Sequence, residues 1–197
     1  PDLSEQFIYL NDDCFLLRPL RPDHFFQAGK PVLHGIWKTQ AAHQIKNSHK
    51  RFLGLNISSP SHRLFQEKSA RLVGFKKKFL HLPHVPFPLL KSTFVDLFEK
   101  NPDLLLHNAQ YAWRCSEQFW PISLAYHLGI QDKAVVLNNQ LKEISVNPAH
   151  HTWHKIQTRL KKADQNKNIV FACIQSLDQA SSEVQNKLIH WLGEIIL

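Results

Sequence analysis

The sequence predicts one α/β domain in which a mixed or parallel sheet is flanked by helices. Two observations favour this class. Short apolar runs typical of strands alternate along the chain with longer segments whose apolar residues recur at helical spacing. The 197 residues, 43% of them hydrophobic, also suffice for one core, and no internal repeat interrupts the pattern. We therefore expect a single domain over residues 1–197.

Three apolar runs are predicted as strands. We expect Gln6–Leu10 to be a short buried strand, Ala134–Leu137 to be a second, and the continuous apolar run Ile169–Ile174 to be a third that is buried on both faces. Polar Asn11–Asp12–Asp13 follows the first strand directly. Because ligands of open α/β sheets gather beyond the carboxyl ends of the strands, these polar residues are the first candidates for a site.

Four segments are predicted as helices from their apolar spacing and their capping residues. The first runs from about Ser61 to Phe75 and is capped by Ser58–Ser59–Pro60, and the second runs from near Leu89 to Asn101–Pro102. The third is opened by Ser116, runs from Gln118 to Leu128 and is ended by Gly129. The last begins at Ser181–Ser182–Glu183. The predicted buried stripes are Leu64, Phe65, Leu72 and Phe75 in the first helix and Val184, Leu188, Trp191, Leu192 and Ile195 in the last.

Proline restricts two further segments. Arg18–Pro22 is predicted to be a loop, because its prolines lack N–H donors and push the preceding residues into extended conformations. Asp23–Phe26 then forms a short helical turn. Phe79–Pro88 is predicted to be extended and rigid for the same reason. A polar, helix-compatible stretch lies between Gln40 and Phe52.

Composition restricts the partners and the compartment. The formal charge of +8 and the pI near 9.5 favour an anionic partner, such as nucleic acid, lipid headgroups, nucleotide phosphates or an acidic polymer. A basic surface that serves solubility is an equal alternative. Three widely spaced cysteines predict neither a disulfide framework nor a zinc site and favour a reducing compartment. With no methionine and no apolar stretch of roughly 20 residues, we expect a soluble piece of a longer protein.

Two adjacent carboxylates are the first candidates for a metal-binding site. Asp12 and Asp13 follow a strand and are suited to hold a hard divalent cation through oxygen ligands, with positions left open for phosphate oxygens. Two neighbouring acids repel each other unless a cation or a proton intervenes, which favours a metal. The structural alternative is a turn in which the Asp side chains cap the backbone.

Among the thirteen histidines, two lie on the proline-stiffened segment. Rigid placement is what a general base requires, so His81 and His84 are candidates, although either could instead satisfy loop backbone. The group at His150, His151 and His154 is interpreted as a solvated helix start. Near predicted helix starts, Lys91 and Arg114 are suited to bind phosphate, with Glu99 or Glu117 as alternative ion-pair partners.

Four parts of the chain resemble the Stealth family of capsular polysaccharide phosphotransferases. Leu3–Leu16, Arg18–Pro19 and Phe25–Phe26 are similar to its second conserved region; His84–Ser92, Phe98–Pro102, Trp113–Glu117 and Ala125–His127 are similar to its third. Cys173–Ile174 is a weaker match to a fourth, because Gln175–Ser176 follows where the family usually has Asn-Asp. The family's first conserved region would lie upstream of Pro1, so the resemblance implies the C-terminal portion of one catalytic domain that lacks its upstream strands.

The resemblance implies an enzyme with a nucleotide-sugar transferase core. Such an enzyme moves a hexose-1-phosphate from a UDP-sugar to a glycan hydroxyl and forms a phosphodiester-linked capsular or cell-surface polysaccharide. It implies a Mg²⁺ or Mn²⁺ ion at Asp12 and Asp13, with Asp13 also counted as catalytic. His84 becomes the first catalytic histidine and His81 the second. The implied substrate- and phosphate-binding residues are Lys91, Arg114, Arg18 and Asn11.

The resemblance also implies cytoplasmic residence with peripheral association at the inner membrane. The basic run Lys76–Lys78 would attract an anionic membrane face or a phosphate-containing polymer. A nucleic-acid-binding module is the alternative from another class, and it is disfavoured because the basic residues are scattered and no nucleic-acid-binding signature is present. A third hypothesis is an inactive relative with an assembly role. The hypothesis of an enzyme requires Asp13 and His84 to lie in one cleft.

Overall fold

The computed structural model describes residues 2–41, 52–54 and 61–196. Its strands are β1 (Gln6–Tyr9), β2 (Cys14–Leu16), β3 (Phe26–Gln27), β4 (Lys30–Leu33), β5 (Ile36–Thr39), β6 (Lys78–His81), β7 (Phe87–Leu90), β8 (Val136–Leu137), β9 (Lys142–Val146) and β10 (Ile169–Ile174). Its helices are α1 (His62–Leu72), α2 (Lys91–Lys100), α3 (Pro102–Ala109), α4 (Pro121–Gln131), α5 (Trp153–Gln165) and α6 (Ser182–Ile196), with 3₁₀ turns at Pro22–His24 and Leu177–Gln179. The predicted α/β class is confirmed.

Strand β10 is the centre of a three-stranded mixed sheet. It pairs antiparallel with β2 and parallel with β9, and all six of its residues are buried, as its continuous apolar sequence predicts. The neighbouring strands were not predicted. Strand β2 has only three residues, and β9 alternates buried with partly exposed positions without a strong apolar run. Short and half-polar strands carry little periodic signal of their own.

Strand β1 forms where predicted, but its predicted burial is wrong. Among the described residues it pairs only with β7, antiparallel, with Gln6 opposite Leu90 and Tyr9 opposite Phe87. Ile8 and Tyr9 are 43% and 46% exposed because the described part of the chain covers only one edge of the strand. The argument from the carboxyl ends of parallel strands therefore does not apply to this strand.

The proline-restricted segments are confirmed. Residues 17–21 form a loop that leads into the 3₁₀ turn at Pro22–His24, which begins one residue before the predicted turn and ends before Phe26, a residue of β3. The segment from residue 79 to residue 88 supplies β6 and β7 with an irregular connection between them. Helix α2 begins at Lys91, two residues after its predicted start, and ends before Asn101 as predicted. Pro102 then opens the unpredicted helix α3, in the first-turn position that suits proline.

Helix α1 is shorter than predicted and buries a different face. Ser61 caps it, accepting a hydrogen bond from the backbone N–H of Leu64 at 3.3 Å, and the chain reverses at Gly74 with a φ of +91°. Phe65 is buried, but Leu72 is 53% exposed. The rest of the buried face consists of Gln66, Glu67, Ser69 and Ala70. The predicted cap at residues 58–60 and most of the polar stretch before it lie outside the described residues.

Helix α4 begins and ends later than predicted. Ser116 and Glu117 form a turn, and the helix starts only at Pro121. Gly129 does not end the helix but lies inside it, where a Cβ atom would sit 2.5 Å from Cγ1 of Val135. The glycine is thus used for close packing rather than for a left-handed cap.

The last helix matches its prediction. Leu188 and Leu192 are buried in a cluster with β10 and α5, and the predicted Val184, Trp191 and Ile195 pack against the same cluster. A second cluster lies on the other side of β10 and contains residues of β6, β7 and α4. Within the described part of the chain, no helix combines the length and apolar character needed to cross a membrane.

The two helical glycines offer a test of packing. We expect Gly129→Ala to lower the free energy of unfolding by about 1–2 kcal/mol, because the clash with Val135 outweighs the better helix propensity of alanine. Gly193→Ala in α6 is the matched control. A Cβ there meets no atom within 4 Å, so this change should raise stability by up to about 1 kcal/mol. Urea unfolding followed by tryptophan fluorescence measures both, and equal effects at the two sites would contradict the packing argument.

Candidate functional site

The side chains of Asp13, His84 and Cys173 meet at one end of the central sheet. One ligand-type atom of each lies within 4.8 Å of the others. Asp13 precedes β2, His84 lies between β6 and β7, and Cys173 belongs to β10. Asp13 and His84 therefore lie close together, as the hypothesis of a phosphotransferase requires.

Backbone pairing and two thiols hold this cluster. The backbone N–H of Ile174 donates to the carbonyl of Asp13 at 2.8 Å, and Cys14 lies opposite Cys173 in the β2–β10 ladder. The Cys173 and Cys14 thiols donate to the two carboxylate oxygens of Asp13 at 3.3 and 3.5 Å. Cys14 is also 3.5 Å from the carbonyl of His84, which ties the histidine's loop to β2.

The Cys173 thiol near Asp13 is a protonated donor. The hydrogen bond with Cys14 raises the pKa of the Cys173 thiol, and burial and the negative charge of Asp13 raise it further. Cys173 therefore orients the Asp13 carboxylate through its S–H group. Such a fixed carboxylate needs no rearrangement to receive a cation.

The donor set restricts which metal ion fits. Mg²⁺ and Mn²⁺ prefer oxygen ligands, and of the three clustered groups only the Asp13 carboxylate meets that preference. Asp12 is exposed and does not belong to the cluster. The cluster therefore does not form a cage of protein ligands for Mg²⁺. It fits an ion that is held by Asp13 and completed by water and substrate oxygens, a common arrangement for Mg²⁺ beside phosphates.

A cavity of about 660 Å³ lies beside His84, lined by residues of α1, β5, β6 and β9 and of the loops beside these strands. Five buried side-chain polar atoms lack a hydrogen-bond partner within the described ranges, and four belong to residues of this lining. They are His34 Nε2, His81 Nδ1, His84 Nδ1 and Glu143 Oε2. Buried polar groups are nearly always satisfied, so their concentration here indicates a site for a polar ligand or water.

Two histidines of the cavity, His81 and His34, are neutral at pH 7. Burial lowers the pKa of His81 to about 4, with further contributions from the positive charges of Lys38 and Arg63 and from His84. Burial also lowers the pKa of His34. His34 Nδ1 lies 2.6 Å from the backbone carbonyl of Asn138, which can only accept, so Nδ1 carries the proton and Nε2 is a free acceptor.

Glu143 on β9 adds a carboxyl group with an unusual proton affinity. Burial raises its pKa to about 7, and the positive charge of Arg159 offsets part of that rise. The group is therefore partly protonated at neutral pH. The cavity thus presents the neutral imidazoles of His34 and His81 and a partly protonated carboxyl, and Lys38 and Lys142 also belong to its lining.

A smaller cavity of about 250 Å³ adjoins the first, because His62 and His84 line both. Their ring centroids are 5.0 Å apart. Two of the sequence-predicted substrate residues, Asn11 and Arg114, line this second cavity. Aromatic rings supply much of its remaining wall: Tyr9, Phe65, Phe119 and Trp120.

Several known proteins are similar in sequence to this chain. Exopolysaccharide phosphotransferase CpsY of Mycobacterium leprae is 26% identical over 185 residues, which cover 88% of this chain and 31% of that protein. Capsular polysaccharide phosphotransferase LcbA of Aeromonas hydrophila is 37% identical over 98 residues, 48% of this chain and 24% of that protein. A capsular polysaccharide phosphotransferase of Neisseria meningitidis serogroup B is 70% identical over 27 residues, 14% of this chain and 7% of that protein.

The chain is thus similar in sequence to proteins named capsular and exopolysaccharide phosphotransferases. These relatives confirm the resemblance to the Stealth family. The chain spans about three-tenths of the length of the CpsY proteins that it matches. No protein-family model matches it.

Two of the residues predicted to bind phosphate lie elsewhere. The Arg18 guanidinium donates to the backbone carbonyls of Ala163 at 2.7 Å and Ile169 at 3.2 Å, so it anchors β2 to α5 and β10. Lys91 is the first residue of α2, and its backbone N–H donates to the carbonyl of Glu5 at 2.8 Å. Neither side chain lines the two cavities beside His84. His81 does line the larger one.

Three residues of the site were missed by sequence reasoning. His62 lies in a helix whose apolar stripe predicts only a structural role. Glu143 lies in an unpredicted strand, and Cys173 is part of an apolar run. Glu143 follows Lys142 on the polar side of the alternating strand β9, where a charged residue is ordinary, so the local pattern gave no signal for its role. His62 carried no signal either.

The raised pKa of Glu143 predicts a pH-dependent stability. Its carboxyl is protonated more readily in the folded state than in the unfolded state, so its contribution to stability is fully present below the unfolded pKa of about 4.5 and is lost as pH rises through about 7. We expect Glu143→Gln to leave stability unchanged at pH 4 and to raise the free energy of unfolding by on the order of 2 kcal/mol at pH 8.

Urea unfolding at pH 4, 6 and 8 measures this difference. The exposed Glu99, changed to Gln, is the matched control and should show no such trend. A difference between Glu143→Gln and the unchanged protein that is the same at every pH would contradict the assignment.

Proposed function

We propose that this chain is part of an enzyme that moves a hexose-1-phosphate from a UDP-sugar to a glycan hydroxyl, with a phosphodiester-linked polysaccharide as product. The observation that carries the proposal is the meeting of Asp13 and His84 where two cavities adjoin. The relatives named as capsular and exopolysaccharide phosphotransferases support the reaction class.

Two adjoining cavities suit a reaction with two substrates. The larger one, at about 660 Å³, lies within the range of small-molecule sites, and we assign it to the nucleotide sugar. The smaller one has aromatic walls and opens beside Arg114, and we assign it to the glycan acceptor. The two substrates would then meet at His84, which lines both cavities.

His84 is the group we assign as general base. A sugar hydroxyl is a weak acid, so a positioned imidazole that takes its proton assists the attack on phosphorus. The Nε2 atom of His84 has the Gln175 amide at 3.5 Å, a long contact that an incoming hydroxyl can displace. His84 is preferred to His81 because His84 lies beside Asp13 and lines both cavities, whereas His81 lines only one.

The reaction is a displacement at the sugar-linked phosphorus. The acceptor oxygen forms a bond to that phosphorus, its proton passes to His84, and the bond from phosphorus to the departing UMP breaks. Arg114 offers a planar guanidinium to the phosphoryl oxygens. When bound at Asp13, Mg²⁺ or Mn²⁺ would supply Lewis acidity toward the diphosphate. Asp13 itself is held in place by the two thiols.

We further propose that the basic surface serves the anionic acceptor or a peripheral position at the cytoplasmic face of the inner membrane. Lys76, Lys77 and Lys78 are all exposed, next to the proline-rich segment that carries His84. Exposed lysines near a surface attract anionic lipid or a phosphate-containing polymer, with a strength that falls as salt rises.

Substitution of the two central residues tests the function. In the full-length protein with Mg²⁺, Asp13→Asn and His84→Ala should each lower transfer of radiolabelled sugar-phosphate by at least about 100-fold, because they remove the cation ligand and the general base. EDTA should abolish transfer, and Mg²⁺ or Mn²⁺ should restore it.

Matched controls are available on the surface. Asp103→Asn in α3 and His154→Ala in α5 change the same residue types at exposed positions and should keep normal turnover. Circular dichroism of all four variants shows whether the fold is retained. Near-normal turnover of both Asp13→Asn and His84→Ala would remove the proposed site.

A further inference from the structure

The buried side chain of Gln66 fixes the hydrogen bonds around His62. Gln66 is fully buried in α1 and is paired with both backbone groups of Leu82. Its Oε1 accepts from the Leu82 N–H at 2.8 Å, and its Nε2 donates to the Leu82 carbonyl at 3.2 Å. A backbone N–H can only donate and a carbonyl can only accept, so this pairing assigns the amide oxygen and nitrogen unambiguously.

The amide orientation determines the tautomer of His62. Gln66 Nε2 lies 3.0 Å from His62 Nδ1 and, being an N–H donor, leaves Nδ1 as the acceptor. In a neutral imidazole whose Nδ1 accepts, the proton is on Nε2. The Nε2–H bond points away from Gln66. None of the residues in the described ranges accepts a hydrogen bond from it, so this donor is available to a ligand.

We infer that His62 is a further catalytic residue, held by Gln66 as a neutral Nε2–H donor that binds a phosphoryl oxygen of the nucleotide sugar. The inference rests on the proposed function and extends it, because it adds a donor to the group that is transferred. Gln66 acts through His62 and is a positioning residue.

The location of His62 suits this role. It lines both cavities, and its ring centroid is 5.0 Å from that of His84 and 4.5 Å from that of Trp120. A donor in that position faces the place where the two substrates would react. Hydrogen-bond donors that are fixed before the reaction stabilise negative charge as it develops, and they cost no reorganisation in the transition state.

The environment keeps the ring neutral. Burial lowers the pKa of His62 to about 4, with smaller contributions from His84, His81 and Arg114. At neutral pH the ring is therefore uncharged. Because Nδ1 is occupied by Gln66, His62 has no free lone pair with which to take a proton from the acceptor. The two neighbouring histidines thus have different tasks: His84 accepts a proton, and His62 donates a hydrogen bond.

Two substitutions separate a donor from a packing residue. His62→Phe keeps a ring against Trp120 but removes the N–H, whereas His62→Gln keeps an N–H donor but removes the ring. If His62 acts as a donor, His62→Phe should lower kcat for sugar-phosphate transfer about 100-fold, and His62→Gln should recover to within about 10-fold of the unchanged protein. A nearly normal kcat in His62→Phe, with His62→Gln the worse variant, would overturn the inference.

The tautomer can be measured without turnover. In the protein labelled with ¹⁵N-histidine at pH 7.5, two-bond ¹H–¹⁵N correlation should show His62 neutral and protonated at Nε2. Added UDP should shift that Nε2 resonance. In Gln66→Glu the ionised carboxylate can only accept, so the proton should move to Nδ1 and kcat should fall as in His62→Phe.

The outcomes distinguish this inference from the proposed function. Absence of transfer by the unchanged protein would count against the function and leave the tautomer result standing. An Nδ1-protonated or charged His62 in an active protein, or an Nε2 resonance that UDP leaves unmoved, would overturn the role of His62 alone.

Discussion

The site depends on the pairing of β2 with the buried strand β10. Strand β2 has three residues and cannot be stable alone, but β10 supplies its backbone partners and Arg18 ties its end to carbonyls of α5 and β10. This pairing places Cys14 opposite Cys173 and sets Asp13 beside both thiols. Arg18, predicted as a phosphate ligand, therefore supports the site through its backbone contacts.

Helix α1 supplies the second constraint. Gln66 satisfies both backbone groups of Leu82, at the start of the proline-stiffened loop that carries His84, while the same helix carries His62. One buried amide thereby holds the two histidines side by side. The helix can bury such polar residues because each has partners: Glu67 pairs with Arg63 at 2.7 Å and accepts from the Ala41 N–H at 3.0 Å. A pattern of apolar residues alone could not predict that face.

The unpaired polar atoms around the larger cavity lower the stability of the fold. A buried polar atom without a partner destabilises a protein by about 1–3 kcal/mol, and residues of this one cavity carry four such atoms. Burial also drives the pKa of His81 down and that of Glu143 up. Proteins keep such groups where a ligand provides their missing hydrogen bonds. The clustering of unpaired atoms and shifted pKa values beside Asp13 and His84 therefore agrees with a binding site there.

The sequence by itself determined the α/β class, the buried strand β10, helix α6 and the extended course around His84, and it named Asp13 and His84 as candidates for one site. These features follow from local spacing, proline chemistry and motifs that neighbouring residues carry together. Only the tertiary structure decided that β1 is exposed, that Arg18 is an anchor, and that His62 and Glu143 belong to the site. Their environments are made by partners distant in the chain, and no local pattern records which distant segment will pack against a given side chain.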